Sequence, residues 1–327
     1  MRWSTLLKPF FNVSADAFQK MAGDRYGYQE DMDKTWLQFQ PVAQTLVDGF
    51  YTTLDNSQFT RLVRQLDTVE VELRGIAYEG AGMGLMLLDS LFPWKRRLQA
   101  FIAGPGAPYA SLIAIGAGLV LPRVPRRPDR FLATLDPFLR WFVMDGYGFY
   151  EGFFHGPRAV ERQVVPRRIT GYARRAFDQG LGRSLWFATG ANVERIKEAM
   201  GAFPPSRQPD LWSGIGLACA YAAGVVDRPT IQSLQAIAGP YEPQMAVGAA
   251  IAAQFRQQAG TSAPHTELAC DVLWGRSGAE VARIAEAARI DLPGAGQEPA
   301  YERWRQQIAM QFVGLRKQVD DYNEVGV

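Results

Sequence analysis

Hydrophobic residues along the chain recur mostly at the spacing of a helix. Within residues 35–54, Trp36, Phe39, Leu46 and Phe50 fall on one stripe, which predicts an amphipathic helix over that segment. The same reasoning predicts further helices at 57–66, 75–92, 109–121, 131–155 and 301–319, with a break or kink at Pro137 in the fourth of these. The pattern therefore predicts an all-α fold.

A few segments depart from this pattern. Residues 24–34 are polar and indicate a loop, and Ser57 is a candidate cap for the helix that follows it. The alternation at 68–73 is typical of a short strand, although the lead into the next helix explains it better. Phe10, Phe11 and Phe18 are expected to anchor an N-terminal arm on the body of the protein.

The C-terminal half carries a repeat. Gly180-Leu181-Gly182 is followed 34 positions later by Gly214-Ile215-Gly216, and another 34 positions lead to Gly248. A period of about 34 residues is the spacing of tetratricopeptide helix–turn–helix units. We therefore expect a helical-hairpin array with tetratricopeptide-like repeats in this half, where small residues allow close helix contacts.

The segment Pro122–Pro128 is the clearest boundary in the chain, because its prolines make it rigid and unsuited to a helix. Residues 1–128 would form an N-terminal helical part, and residues 129–327 would form the hairpin-repeat part. A chain of 327 residues can bury one large core. We expect the two parts to make one continuous compact unit.

The tripeptide Tyr-Glu-Gly occurs twice, each time inside an apolar, glycine-rich stretch. Its glutamates are Glu79 and Glu151, and its tyrosines are Tyr78 and Tyr150. An unpaired carboxylate is costly to bury. These four residues are therefore the first candidates for a catalytic site, with buried structural ion pairs as the competing interpretation.

One histidine extends the second motif. His155 follows Glu151 by four residues, so the two side chains share a helix face and can act as an acid–base pair or as half of a metal site. His265 is the only other histidine, which excludes a histidine-rich metal site. A carboxylate-rich divalent-metal site built from Glu79, Glu151, Asp89 or Asp145 with His155 stays open. Otherwise Glu151 pairs with an arginine, and His155 meets the carbonyl groups of the helix end.

Composition narrows the class of protein. Hydrophobic residues make up 47% and charged residues 21% of the chain, and the net charge is +2, as in ordinary globular proteins. The basic residues are scattered, and no aromatic residues are interleaved with them, so we expect no nucleic-acid partner. The arginine-rich loop at 123–130 leaves membrane-surface association as a weaker alternative.

Nothing in the sequence predicts a transmembrane helix or a signal peptide. The longest uncharged apolar run, 109–121, is shorter than the about 20 residues that a spanning helix needs. Cys219 and Cys270 lack the spacing of a metal or redox motif and are expected to be buried free thiols. We expect a cytoplasmic protein and leave oligomerisation open.

Four long motifs resemble one known family. They are R-G-x-A-Y-E-G-A-x-M at 74–83, D-G-Y-G-F-x-x-G-F-F at 145–154, G-Y-A-R-R-A-F-D-Q-G-L-G-R-x-L-W-F at 171–187 and D-L-W-S-G-x-G-L-A-C-A-Y at 210–221. They are similar to the DUF1702 family, whose members include the enediyne biosynthesis proteins of actinobacteria. The resemblance implies a role in converting a linear polyene polyketide into an enediyne core. It brings no established catalytic residues.

Two functions follow as hypotheses. As an enzyme, the protein would modify a polyene, with an oxidative step at a bound metal as one form of this, using Glu79, Glu151 and His155 with Tyr78 or Tyr150. As a binding or scaffold protein, it would hold the polyene or organise the other biosynthetic proteins of the pathway. The scarcity of histidine favours binding, whereas glutamates within apolar helices favour an enzyme.

Overall fold

The computed structural model describes residues 14–26, 30–56, 58–222, 227–290, 292 and 298–325. The predicted cap at Ser57 and the predicted anchors Phe10 and Phe11 lie outside these residues. All secondary-structure elements assigned within these residues are helices, which confirms the prediction of an all-α fold.

The α-helices are named here in chain order. They are α1 (Ala15–Tyr26), α2 (Glu30–Asp55), α3 (Phe59–Leu66), α4 (Val71–Leu91), α5 (Arg97–Ala103), α6 (Ala110–Val120), α7 (Pro128–Leu132), α8 (Arg140–Phe154), α9 (Tyr172–Ala188), α10 (Val193–Gly201), α11 (Gln208–Tyr221), α12 (Arg228–Ala238), α13 (Glu242–Ala259), α14 (Pro264–Trp274), α15 (Gly278–Ile290) and α16 (Ala300–Val325). Short helical turns at Pro93–Lys95, Ala107–Tyr109, Leu121–Arg123, Pro157–Glu161 and Gly239–Tyr241 connect some of them.

One local prediction was wrong, and one preferred interpretation was confirmed. The segment 24–34 is not a loop throughout, because α1 continues to Tyr26 and α2 begins at Glu30. Its polarity had indicated a loop. A polar residue, however, lowers the stability of a helix by at most about 0.7 kcal/mol relative to alanine, so polarity alone does not prevent a helix. The preferred interpretation of the alternation at 68–73, a lead into the next helix instead of a strand, is confirmed, since α4 begins at Val71.

The predicted helix at 131–155 is divided at Pro137. Helix α7 ends at Leu132, and α8 begins only at Arg140. Proline cannot donate a backbone hydrogen bond inside a helix. The carboxylate of Asp136 accepts hydrogen bonds from the next two free N–H groups, at 2.8 and 3.0 Å, and so starts the second helix.

The longer helices pack against each other in an order that follows the chain. Helices α2, α4, α6 and α8 are successive neighbours, and α9, α11, α13 and α15 continue the series. The short helices α3, α5, α7, α10, α12 and α14 connect them. This arrangement agrees with the predicted helical-hairpin organisation, and the tetratricopeptide-like character of the repeats stays a prediction.

Pairs of glycines with one residue between them lie at the contacts between these helices. A Cβ atom added to Gly116 of α6 would lie 1.8 Å from the carbonyl oxygen of Glu79 in α4, and one added to Gly118 would lie 2.0 Å from that of Val143 in α8. The first glycine thus faces the preceding helix, and the second faces the next one. The same alternation occurs at Gly80 and Gly82, Gly146 and Gly148, Gly180 and Gly182, and Gly214 and Gly216. Adjacent helix backbones therefore touch at a distance that only glycine permits.

The array is curved, so that late helices return to early ones. Arg256 of α13 donates a hydrogen bond to the carbonyl oxygen of Glu72 in α4 at 2.7 Å. The rings of Phe39 in α2 and Phe187 in α9 lie 5.1 Å apart. Helices α9, α11 and α13 therefore face α2 and α4 across a shared interior.

The packing is continuous across the predicted boundary at Pro122–Pro128, since the contact of Gly118 with Val143 joins the helices on either side of it. Cys219 and Cys270 are buried free thiols, as predicted. Within the described residues, no single helix is both long and apolar enough to cross a membrane. One bent pair of segments, Pro93–Ala103 with Ala107–Arg123, meets that criterion only when the two are taken together.

Candidate ligand-binding site

A pocket lies where the curved array brings its helices together. Side chains from α1, α2, α4, α6, α8, α9, α11 and α13 line it. Its cavity volume is about 60 Å³, within about 740 Å³ of empty space that includes the mouth. Small-molecule sites usually offer about 300–1,000 Å³, so the enclosed part of this pocket is small and narrow for a ligand site. A slender molecule therefore fits it better than a bulky one.

Aromatic rings form one end of the pocket. Phe187 contacts both Phe39 and Phe149, with ring centres 5.1 and 5.5 Å apart. Phe153 lies parallel to Phe149 at 5.7 Å and reaches Phe18 of α1 at 5.4 Å. These five rings make a continuous aromatic wall that can contact a flat, unsaturated chain through offset and edge-on geometry.

Glu79 is the acidic residue of the lining. Its side chain is buried at 6% exposure, and no described residue makes a hydrogen bond with its carboxyl group. Its closest ionic contact is to Arg183 of α9, where Nη2 lies 3.9 Å from Oε1. The carboxyl group of Glu79 is therefore available to a molecule in the pocket.

Arg183 holds a second carboxylate more tightly. Its Nε lies 2.7 Å from Oδ1 of Asp145, an ion pair rather than an aligned hydrogen bond, and its guanidinium carbon lies 5.0 Å from the ring centre of Phe149. The amide of Gln179 donates a hydrogen bond to Asp145 at 2.9 Å and exchanges hydrogen bonds with the hydroxyl group of Tyr301. A buried polar row thus runs from the pocket to α16.

The glycine pairs explain why these side chains meet. Glu79, Asp145 and Gln179 each immediately precede the first glycine of a pair, at Gly80, Gly146 and Gly180 respectively. Their carbonyl groups are the ones that a glycine of the following helix touches. The helix contacts therefore fix the three residues at one level of the array, and neighbouring helices present them towards each other.

One cation shared between two carboxyl groups sets the electrostatics of the site. Burial raises the pKa of Glu79 to about 7; the Arg183 charge lowers it, and the charge of Asp145 raises it further. Burial also raises the pKa of Asp145, against the effect of Arg183 and Gln179. Because Asp145 has the shorter contact with the guanidinium, we assign the negative charge to it and the proton near neutral pH to Glu79.

Tyr221 provides a further polar group in the lining. Its hydroxyl group is buried and has no hydrogen-bond partner among the described residues. A Cβ atom at Gly75 would lie 1.9 Å from this oxygen, so glycine is needed to make room for it. Burial raises the pKa of Tyr221 to about 12, despite the opposing charge of Arg256. The hydroxyl group therefore keeps its proton and can donate a hydrogen bond.

The structure separates the two Tyr-Glu-Gly motifs. Only Glu79 of the predicted residues lines the pocket. The hydroxyl group of Tyr78 donates a hydrogen bond to Asp67 at 3.0 Å, and its ring stacks on Tyr109 at 3.9 Å. Glu151 instead lies 3.3 Å from Nδ1 of His155.

Tyr150 also lies outside the pocket lining and packs against His155, with ring centres 5.4 Å apart. The predicted common site of Glu79 and Glu151 is therefore corrected to Glu79 with Asp145. The reason is helical geometry. Glu151 follows Asp145 by six positions, so the two residues lie about 9 Å apart along the helix axis and on different faces of the helix.

The predicted metal ligands do not come together. Among the described residues, no group of three or more histidine, cysteine, aspartate or glutamate side chains could hold a metal ion. Glu79 and Asp145 both contact Arg183, whose guanidinium occupies the place between the two carboxyl groups. A divalent ion on Glu79, Glu151 and His155 is thus not supported by their positions.

Sequence reasoning missed Arg183, Gln179 and Tyr221 as residues of the site. The signal for Gln179 was present, because it precedes a glycine pair just as Glu79 and Asp145 do. No sequence pattern indicated Arg183 or Tyr221, because their positions in the site depend on the curvature of the array.

Comparison with known proteins gives one match. The profile of a family described as protein of unknown function, DUF1702, matches residues 11–312. The chain matches no curated protein and no solved structure.

Proposed function

The chain belongs to the DUF1702 family, and we propose that it binds a slender, linear, unsaturated molecule in the pocket between its helices. The observation that carries this proposal is a narrow aromatic pocket with a buried carboxyl group that no described residue hydrogen-bonds. Packing between helices would normally fill such a space with side chains. A ligand gives a reason for keeping both the space and the costly carboxyl group.

A conjugated chain fits the chemistry of this lining. Its flat π-system can lie against Phe149 and Phe187, and its hydrogen-bonding groups would meet Glu79 and Tyr221. A protonated carboxyl group and a phenol both donate hydrogen bonds. We infer a ligand that carries a carbonyl or hydroxyl oxygen besides its unsaturated chain.

We further propose that this ligand is a linear polyene polyketide on the route to an enediyne core. This step is supported by the sequence motifs at 74–83 and 145–154 and by the match between a polyene's shape and the pocket. In this setting the helical array, tetratricopeptide-like in its C-terminal half, can also hold partner proteins of the pathway. The polyene-binding role stands without such partners.

A catalytic role is the second candidate, and one observation favours it. A carboxyl group with a pKa of about 7 can give and take protons near neutral pH, and Glu79 faces the pocket. In this form of the proposal Glu79 would protonate or deprotonate the bound polyene. Arg183 would be a positioning residue that keeps Asp145 charged, while burial and the charge of Asp145 keep the proton on Glu79.

Displacement of a fluorescent ligand tests the binding proposal. The purified protein is loaded with cis-parinaric acid, a linear conjugated tetraene, and challenged with linear polyenes or with polycyclic sterols of similar carbon number. We expect displacement by the linear compounds and little by the sterols, because the pocket is narrow. Equal displacement by both classes would argue against a slender ligand.

The Glu79→Gln variant separates binding from catalysis. Glutamine keeps the size and the hydrogen-bonding capacity of the side chain but cannot exchange a proton. If the protein is an enzyme, the variant binds polyene yet forms no product in a reconstituted reaction analysed by mass spectrometry. Full product output with Glu79→Gln would exclude Glu79 as the acid–base group.

A further inference from the structure

A solvent-exposed tryptophan marks the end of α4. After Leu91 the chain turns through Pro93–Lys95, and this turn leaves Trp94 71% exposed and Leu91 43% exposed. The edge of the Phe92 ring supports the indole, with centres 5.7 Å apart. Large apolar side chains that stay in solvent together are uncommon and mark interaction sites.

The backbone of this turn is held in an uncommon shape. Arg96 has a φ of 46°, in the left-handed region that residues other than glycine rarely adopt. Directly after it, the N–H groups of Arg97 and Leu98 donate hydrogen bonds to the carboxylate of Asp89, both at 2.9 Å. Asp89 therefore fixes the turn that presents Trp94.

A basic loop also contacts the end of α4, beside this turn. Arg126 donates a hydrogen bond to the carbonyl oxygen of Asp89. Gln99 of α5 also contacts the hydroxyl group of Thr134 at 3.5 Å. The arginine-rich loop at 123–130 thus lies beside the turn at Pro93–Lys95.

Together these segments form a surface that we name the Trp94 face. It consists of Leu91, Trp94, Lys95, Arg96, Arg127 and Arg130, all of them exposed. Among the described residues, no acidic side chain forms an ion pair with Lys95, Arg96 or Arg130, and Arg127 pairs only with Asp129 at 3.0 Å. The face therefore combines an amphipathic indole with an excess of positive charge.

We propose that the Trp94 face docks on the surface of a bilayer that contains anionic lipids. Indole groups prefer the interface between water and hydrocarbon, where their apolar body and polar N–H are both satisfied. Basic side chains around the indole would contact lipid phosphates, each strengthening binding about fivefold. Trp94 and Leu91 enter the interface, and the protein stays peripheral. The inference is independent of the proposed ligand.

The composition of the face favours lipid over other acidic partners. Nucleic acids bind to basic grooves with aromatic platforms for stacked bases, whereas Trp94 stands on a turn that protrudes after α4. An acidic protein would contact the arginines, but it would also need an apolar patch matched to Trp94 and Leu91 beside its acidic groups. A lipid interface accounts for both the cationic and the apolar side chains.

Vesicle binding tests the proposal. The full chain is sedimented with phosphatidylcholine vesicles with and without phosphatidylglycerol, at low and high salt. We expect binding only with phosphatidylglycerol, weakened by salt because the charges lie at the surface. Arg96→Gln should weaken it about fivefold, and Trp94→Ser should weaken it at least as much. The controls are Lys197→Gln, 61% exposed, and Ile290→Ser, 77% exposed, which lie elsewhere and should change nothing.

Brominated lipids give a second readout. They quench tryptophan fluorescence only where an indole enters the acyl region, so quenching of the wild type should disappear in Trp94→Phe. Quenching that persists in Trp94→Phe, or equal binding to neutral vesicles, would overturn the proposal. So would binding to the soluble polyanion heparin that exceeds vesicle binding and ignores Trp94→Ser.

Discussion

The arginine at position 183 decides how charge is distributed in the interior. It lies 2.7 Å from Asp145 but 3.9 Å from Glu79, so one cation serves two buried carboxyl groups. Two negative charges around one guanidinium would leave a net charge in a medium of low polarity. A proton on Glu79 restores neutrality, which agrees with its pKa of about 7.

The raised pKa of Glu79 predicts a particular pH dependence of stability. Between the ordinary pKa of glutamate and about 7, the unfolded chain has released this proton while the folded chain still holds it. The free energy of unfolding therefore falls as pH rises through that window, by an amount on the order of 3 kcal/mol.

Urea denaturation of wild type and Glu79→Gln, from about pH 5 to about pH 8, isolates this contribution. The stability of the wild type relative to the variant should fall steadily over that range. Glu194→Gln, at a carboxylate that is 81% exposed, is the control and should show no such trend. A difference that stays constant with pH would contradict a raised pKa at Glu79.

Removing Arg183 tests the shared cation. Arg183→Met leaves Asp145 charged and without its ionic partner, which should cost about 3–5 kcal/mol in the free energy of unfolding. Adding Asp145→Asn removes the stranded charge and should recover part of the loss. Arg283→Met on the exposed side of α15 should change stability by less than about 0.5 kcal/mol. No recovery in the double variant would mean that Arg183 acts through packing alone.

At this scale the sequence identified Glu79 and included Asp145 among several possible companions, but it did not identify Arg183. A glutamate inside an apolar, glycine-rich helix stands out because burial of its charge is costly. Glu151 met the same criterion, yet its carboxylate lies beside His155, as their spacing of four residues predicted, and outside the pocket. Asp145 was less conspicuous at the start of its motif, although it occupies the same place before a glycine pair as Glu79.

At the scale of helices, the glycine pairs are the main organising feature. Each pair provides one contact to the preceding helix and one to the next, so the array needs no large side chains at these crossings. Glycine weakens a helix by about 1 kcal/mol relative to alanine. Close backbone contact, with the dispersion attraction that it brings, offsets this loss.

Gly180→Ala in α9 measures how strict these contacts are. The new methyl group would lie 1.7 Å from the carbonyl oxygen of Asp145, so α8 and α9 must move apart. We expect a loss of about 1–3 kcal/mol or more in the free energy of unfolding. Gly314→Ala in α16 is the matched control, because nothing lies within 4 Å of its Cβ position. It should gain about 0.5–1 kcal/mol. Similar effects at both sites would contradict the glycine-contact account.

The sequence predicted most of the helices and their repeat, because both depend on local spacing. The period between Gly180, Gly214 and Gly248 is visible in the sequence, and all three glycines contact a neighbouring backbone. The same period of 34 residues also leads back from Gly180 to Gly146, and this step was missed; the preceding pair at Gly116 lies only 30 residues before Gly146 and falls outside the period. The connection between α6 and α8, which contains Leu121–Arg123 and α7, changes the spacing without changing the type of contact.

At the scale of the whole molecule, curvature creates the site. Arg183 of α9 meets Glu79 of α4, and Tyr221 of α11 meets Gly75 of α4, although long stretches of chain separate them. Small rotations at each helix crossing add up to this curvature. A sequence does not display such rotations, which explains why the pocket could not be predicted from it.

The central claim is that the pocket between the helices is where an unsaturated chain binds. The most direct test is a fluorescence titration with cis-parinaric acid on variants that fill this space. Ala218→Phe and Ala43→Phe place a ring within the lining, and Ala287→Phe places the same ring on the exposed side of α15. Circular dichroism verifies the fold of each variant.

The account predicts saturable binding by the wild type and by Ala287→Phe, with binding lost or at least tenfold weaker in folded Ala218→Phe or Ala43→Phe, a change of about 1.4 kcal/mol. Undiminished binding by both pocket-filling variants, each with helical content equal to that of the wild type, would contradict the claim.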